Sequence, residues 1–141
     1  MTEVRSPLRV GVVGVGMMGT DHAVRLADRV AGACLVGLAD PDLTTAEELA
    51  SRLTPVVGER PTVHPDPMTL IADPGVDALV LASPGSVHFE QLLACLERGK
   101  PVLCEKPLTM DGASSLQVLD AERDAGRPLI QVGFMRRFDP E

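Results

Sequence analysis

Tryptophan and tyrosine are absent from this chain and phenylalanine occurs three times, so aromatic residues make up 2% of its 141 positions. Recognition by stacking bases on aromatic side chains is therefore not to be expected. Cysteine is scarce as well. Cys34, Cys95 and Cys104 are odd in number, widely spaced and form no Cys-x-x-Cys. Each sits in an apolar segment, which points to small buried hydrophobes rather than a redox pair or a metal site. The histidines, His22, His64 and His88, are too scattered to make a metal site by spacing, and no metal is expected.

Positive charge is in deficit. Lys and Arg number 13 against 20 Asp and Glu, a net charge of −7. That argues against a nucleic acid or an anionic membrane surface as partner. Local backbone N–H groups can still outweigh the distant negative field at a small anionic ligand. No uninterrupted apolar run approaches the roughly 20 residues of a membrane span. Residues 1–7 lack the apolar centre of a signal peptide, so a cytoplasmic chain is expected. With 45% apolar and 23% charged residues, the composition is that of a globular protein and excludes a disordered chain. The length predicts one domain, residues 1–141, burying roughly two-thirds of its unfolded surface. Internal repeats, linkers and low-complexity segments are not evident.

What is present is organised around the run Val10 to Gly19. Residues 8–13 are apolar without alternation, as in a strand buried on both faces of a parallel sheet. The run then becomes Gly14-x-Gly16-x-x-Gly19, with Met17 and Met18 between the last two glycines. Gly14 permits a tight turn off the strand. Gly16 lets a pyrophosphate approach the backbone, and Gly19 lets the next helix pack close. The N–H groups and positive dipole end of that helix would face the phosphates. The bare pattern is common; its place between a strand and a helix makes it a dinucleotide fingerprint.

The rest of the chain alternates. A helix is predicted over residues 17–29, with Met18, Ala23, Leu26, Ala27 and Val30 inward and Gly32 as its stop. A second buried strand covers 34–39 and ends at Asp40. Thr44-Thr45-Ala46-Glu47 has the form of a capping box and starts a helix through Leu49 and Leu53. Five breakers, Pro55, Gly58, Pro61, Pro65 and Pro67, leave room only for a short strand at 62–64. A short helix over 68–72 and a strand over 77–82 follow. The pattern continues with a helix at 87–98 stopped by Gly99 and a strand at 101–104. A helix at 111–125, with Leu116, Val118 and Leu119 inward, is closed by Gly126, and a sixth strand covers 129–133. Strict alternation predicts a doubly wound α/β fold of Rossmann type, a parallel sheet in the order 3-2-1-4-5-6.

Asp40 follows Gly19 by 21 positions. A carboxylate there can accept hydrogen bonds from the adenosine ribose hydroxyls and would repel a 2′-phosphate, which predicts NAD over NADP. Asp42 suits a turn or a cap. Ser83-Pro84 and Glu105-Lys106-Pro107 end the fourth and fifth strands, on the edge where open parallel sheets bind ligands. His88, one turn into the following helix, is as well suited to a structural hydrogen bond as to a ligand. A lysine beside a cationic ring can have its pKa lowered and so move protons. From spacing alone, though, the default reading of Glu105 and Lys106 is a solvated pair.

Together, the glycine loop, Asp40, Ser83-Pro84 with His88, Gly99 to Pro107, and Gly133-Phe134-Met135-Arg136-Arg137-Phe138-Asp139 resemble the N-terminal half of the Gfo/Idh/MocA oxidoreductases. The likeness is strongest to the inositol 2-dehydrogenase branch. That resemblance implies NAD-dependent oxidation of a secondary hydroxyl on a cyclitol or sugar. It implies that Lys106 lies between nicotinamide and substrate as the catalytic residue, and that Glu105 lies near the nicotinamide ribose. Ser83, Pro84 and His88 would lie along the cofactor, with Met17 and Met18 in the phosphate loop. Met135 and Arg136 would reach the substrate. Where the family carries Thr-Pro-Asn, Gly85 replaces the asparagine and any amide contact from it is lost. The family's second domain, with an Asp and a His that complete catalysis, has no counterpart before Glu141. The expectation is thus a cofactor half with little activity alone, its segment from Phe134 to Phe138 exposed and favouring a homo-oligomer. The alternative is a dinucleotide-binding module without catalysis.

Overall fold

A computed structural model describes residues 6–137 and 139–140. Residues 1–5, Phe138 and Glu141 lie outside it, so the expectations for Phe138 and the N-terminal segment are not addressed by structure. The strands are β1 (Leu8–Val13), β2 (Ala33–Ala39), β3 (Thr62–His64), β4 (Ala78–Leu81), β5 (Val102–Glu105) and β6 (Ile130–Gly133). The helices are α1 (Met17–Asp28), α2 (Leu43–Val57), α3 (Pro67–Ala72), α4 (Gly85–Glu97) and α5 (Gly112–Asp124), followed by a 3-10 turn at Met135–Arg137. All strand pairings are parallel, in the order β3-β2-β1-β4-β5-β6. This is the doubly wound Rossmann order, with its reversal between β1 and β4.

Alternation along the central strands divides the core into two layers. Val10 and Val12 of β1 join Ala78 and Val80 of β4, Leu35, Leu38, and Leu49 and Leu53 of α2. Val13, Leu79 and Leu81 face the opposite side, packing with Leu70 and Ile71 of α3, Leu92 and Leu96 of α4, and Val118 of α5. The unbroken apolar runs of β1 and β4 follow from this: each strand is covered on both faces. Cys95 and Cys104 are fully buried in the second layer, and burial pushes both thiols up to about 12. They are inert packing residues.

Five details depart from the sequence expectation. Helix α1 ends at Asp28, where the Arg29 N–H bonds the Arg25 carbonyl; Gly32 belongs to the following turn. Met18 and Val30 point to solvent. Helix α2 is capped by Asp42 rather than Thr44. The Asp42 carboxylate accepts from the Thr45 N–H (3.2 Å) and hydroxyl (2.8 Å), and Glu47 pairs with Arg60 instead of reaching back to a cap. A carboxylate two residues earlier outcompetes a hydroxyl for the free N–H groups. The same helix runs past Pro55 to Val57, because Ser51, whose carbonyl loses its partner to the proline, is exposed. In α5, Leu116 and Leu119 are exposed and only Val118 is fully buried. The phase of that helix is set instead by Glu122, whose Oε1 accepts the Leu129 and Ile130 N–H groups at 2.8 and 2.7 Å.

Lys100, just before β5, donates from Nζ to the carbonyls of Ile71 and Asp73, 2.7 Å each. It closes the carboxyl end of α3 from the amino end of β5, leaving the opposite end of α3, at Pro67, on the ligand edge.

Candidate functional site

A cavity of about 850 Å³ opens at the carboxyl edge of the sheet, over the reversal between β1 and β4. Its floor is the glycine loop. Gly14 adopts φ +86°, a conformation that side chains other than glycine rarely take, and a Cβ there would come within 2.7 Å of the Ala82 carbonyl. A Cβ on Gly19 would collide with the Gly14 carbonyl, whereas one on Gly16 would meet nothing within 4 Å. The loop therefore packs tightly on β4 and on its own helix while leaving the Gly16 side open.

The start of α1 differs from those of α2, α3 and α5; like α4, which begins after Pro84, it has no side-chain cap. Asp42, Asp66 and Asp111 cap α2, α3 and α5 through their side chains. Helix α1 starts at Gly16 with no side-chain cap and no acidic residue in its first turn. Its free N–H groups and positive dipole end are turned to the cavity and suit a phosphate or pyrophosphate.

Asp40, at the end of β2, lines the same cavity. Its Oδ2 accepts the Val15 N–H at 2.9 Å and its Oδ1 accepts the Asp42 N–H at 2.8 Å. The carboxylate thus ties the glycine loop to the end of β2 and keeps further lone pairs for a ligand hydroxyl. Met17, Met18, Ser83 and Pro84 also line the cavity.

The other expected site residues lie elsewhere. His88 is fully buried, with Nδ1 at 2.8 Å from the Pro107 carbonyl and Nε2 at 2.8 Å from the Ser83 carbonyl. It joins the turn after β4 to the turn after β5 and does not line the cavity. Glu105 and Lys106 stand at the end of β5, outside the cavity lining. The Glu105 carboxylate is 2.7 Å from His22 Nε2 on α1, and its Oε1 would lie 3.2 Å from a Cβ on Gly133. Lys106 is exposed and makes no hydrogen bond or ion pair among the described residues. Met135 and Arg136 are exposed on the turn that follows β6.

Several lining residues escaped the sequence reading: Pro41, the Asp66-Pro67-Met68 corner after β3, and Val87, Glu90 and Gln91 on α4. The signal for α4 was present, since Val87 and Gln91 follow Ser83 at four-residue steps. The corner after β3 looked only like a proline-rich break. Among the described residues no cluster of His, Cys, Asp and Glu could hold a metal. No described helix is long and apolar enough to cross a membrane.

Comparison with known proteins agrees with this geometry. The model of an oxidoreductase family with an NAD-binding Rossmann fold, Gfo/Idh/MocA, matches residues 8–134. Inositol 2-dehydrogenase 4 of Saccharopolyspora erythraea is 57% identical over 134 residues, covering 95% of this chain and 38% of that protein. An inositol 2-dehydrogenase of Rhodococcus jostii is 52% identical over 136 residues, 95% of this chain and 35% of the relative. The myo-inositol dehydrogenase of Lactobacillus casei, solved with NAD(H) and myo-inositol, aligns with a TM-score of 0.87. It is 34% identical over 94% of this chain and 38% of its own. The chain spans little more than a third of the length of these relatives.

Proposed function

The chain belongs to the Gfo/Idh/MocA oxidoreductase family, and from that premise we propose that residues 1–141 are the NAD-binding domain of a dehydrogenase acting on a cyclitol or sugar. The observation that carries this reading is the cavity in which an uncapped helix start meets the Asp40 carboxylate. The residues fit a dinucleotide. The N–H groups at Met17 and Met18 would hold the pyrophosphate, and Asp40 would accept from the ribose hydroxyls of NAD while repelling the 2′-phosphate of NADP. Pro41, Pro67 and Val87 supply apolar walls for adenine. NAD, when bound, supplies the hydride acceptor for oxidation of a secondary alcohol.

The chain's own part in the chemistry lies at the end of β5. Lys106 presents an uncommitted ammonium there, suited to binding the reacting hydroxyl and assisting its proton transfer. The His22–Glu105 pair anchors the neighbouring residue to α1, fixing the backbone from which Lys106 extends. Met135 and Arg136 stand beyond β6 on the same edge, within the side of the molecule from which a polyol would approach.

Calorimetric titration of the 141-residue chain with NAD and NADP tests the cofactor. Tighter binding of NAD is expected, and equal affinities would remove the Asp40 argument. Absorbance of NADH with myo-inositol and with glucose then tests the chemistry. It should be followed for the chain alone and with the remainder of a relative supplied. Turnover only in the second case supports the dehydrogenase reading; NAD binding without turnover in either favours a non-catalytic module.

A further inference from the structure

The cavity is unusually poor in hydrogen-bond donors. Of its 17 lining residues only Ser83 and Gln91 carry a side-chain N–H or O–H at neutral pH; the other polar ones, Asp40, Asp66 and Glu90, are carboxylates. Ser83 commits its hydroxyl to Gln91, donating to Oε1 at 2.6 Å. The Gln91 side chain is pinned in this way with its Nε2 unmatched by any partner among the described residues, although the residue is only 4% exposed. No fully enclosed side-chain N or O atom among those residues lacks a partner. Nε2 must therefore reach the open wall of the cavity.

On the reading that a dinucleotide of the NAD type lies here, we infer that Gln91 is a binding residue for its ADP-ribose half. Its Nε2 donates to an acceptor atom of that half. The cavity runs from the glycine loop toward the ends of β2 and β3 and along α4, and excludes Glu105 and Lys106. It is the half of the edge that holds Asp40, hence the adenosine side. A ligand bearing ring nitrogens, ribose oxygens and phosphate oxygens meets three carboxylates on these walls. Gln91 is the one uncommitted side-chain donor it can find. The reverse amide orientation would present a fourth acceptor to an acceptor-rich ligand and leave that ligand without any side-chain donor.

The test is calorimetric titration of the intact chain with NAD and, separately, ADP-ribose, in wild type, Gln91→Leu and Gln91→Glu. One neutral hydrogen bond corresponds to a loss of about three- to tenfold in affinity. Gln91→Leu should show it equally for both ligands. Gln91→Glu keeps the shape and the acceptor for Ser83 but replaces the donor by a negative oxygen, so its loss should exceed about tenfold. Should Gln91→Leu melt early without ligand, Gln91→Glu decides. Wild-type affinity in Gln91→Glu overturns the inference, as does a loss for NAD that ADP-ribose does not share. If the wild type binds neither ligand, the dinucleotide reading itself falls, and this inference falls with it.

Discussion

Replacing Lys100 by Met should destabilise the protein by about 2 kcal/mol without altering cofactor affinity. The side chain is half-buried and its ammonium bonds two backbone carbonyls, Ile71 and Asp73, at 2.7 Å each. Hydrogen bonds to a charged group are worth about 1.5–3 kcal/mol apiece, so the gross loss would be about 3–6 kcal/mol. Burial takes back a share. It lowers the Lys100 pKa below 10.5, with nearby Asp73 opposing the shift. Methionine fills similar volume, so little cavity term is added. For a domain of this size about 2 kcal/mol corresponds to a fall in Tm of roughly 5–10 °C. The pH dependence has a definite sign. The folded chain gives up the Lys100 proton before the unfolded chain does. Wild-type stability relative to the variant therefore rises with pH between the lowered value and 10.5. Thermal melts at neutral and alkaline pH measure both effects. A Tm within a degree or two of wild type, or a gap that closes as pH rises toward 10.5, would refute the reasoning.

The remaining expectations concern the loop, the Asp40 carboxylate and one surface pair. Gly19→Ala places a methyl group against the Gly14 carbonyl; a loss of about 3 kcal/mol or more is expected in urea unfolding, with NAD affinity lost in whatever folds. In Asp40→Asn an amide NH₂ must face either the Val15 or the Asp42 N–H. NAD affinity measured by titration should fall by about tenfold to a hundredfold, and the preference over NADP should shrink. The Arg9 guanidinium, by side-chain hydrogen bonding, holds Asp77 down to about 2. A depressed carboxylate stabilises above its unfolded pKa and loses that contribution as pH falls through the folded value. Both side chains are more than a third exposed, so solvent screening reduces the effect to about 1 kcal/mol. The gap between wild type and Asp77→Asn in urea midpoint should close between about pH 4 and pH 2; a constant gap would mean the pair is not its source.

The strand order was legible because burial on both faces writes itself as unbroken apolar runs, and because breakers separate every run. Val10 to Val13 and Ala78 to Leu81 could hardly be anything but central strands. Caps and helix phase were less legible because they depend on competition. Thr44 had the right spacing to Glu47, but Asp42 offered a stronger acceptor and Arg60 drew Glu47 away. Leu116 and Leu119 looked like core residues, yet Glu122 faces inward because two backbone N–H groups of the β6 entry need an acceptor there. The same limit applies to the cavity. Gly14, Gly16 and Asp40 belong to a contiguous strand–helix–strand unit and could be read in series. Gln91 enters through a hydrogen bond to Ser83, and Asp66 through the adjacency of β2 and β3. The four-residue steps from Ser83 through Val87 to Gln91 hint at the first relation; the second has no signature along the chain.

The run from Lys100 to Pro107 shows why a specific motif is not the same thing as a site. Its two lysines lie at opposite ends of one four-residue strand. Lys100, at the amino end, is folded back onto α3 and bonded to two carbonyls, so its charge serves the packing of a short helix. Lys106, at the carboxyl end, is exposed and carries an ammonium uncommitted among the described residues. The residues between them alternate in the same sense: Val102 and Cys104 are buried, while Leu103 and Glu105 are half-buried on the opposite face. Glu105 reaches α1 through His22, and Cys104 lies 3.4 Å from the His88 ring that bridges the two neighbouring turns. Almost every position in the run is thus constrained by a contact to a different element. The motif is specific because β5, between β4 and β6, must satisfy α1, α3 and α4 at once. Only its last residues face the ligand edge.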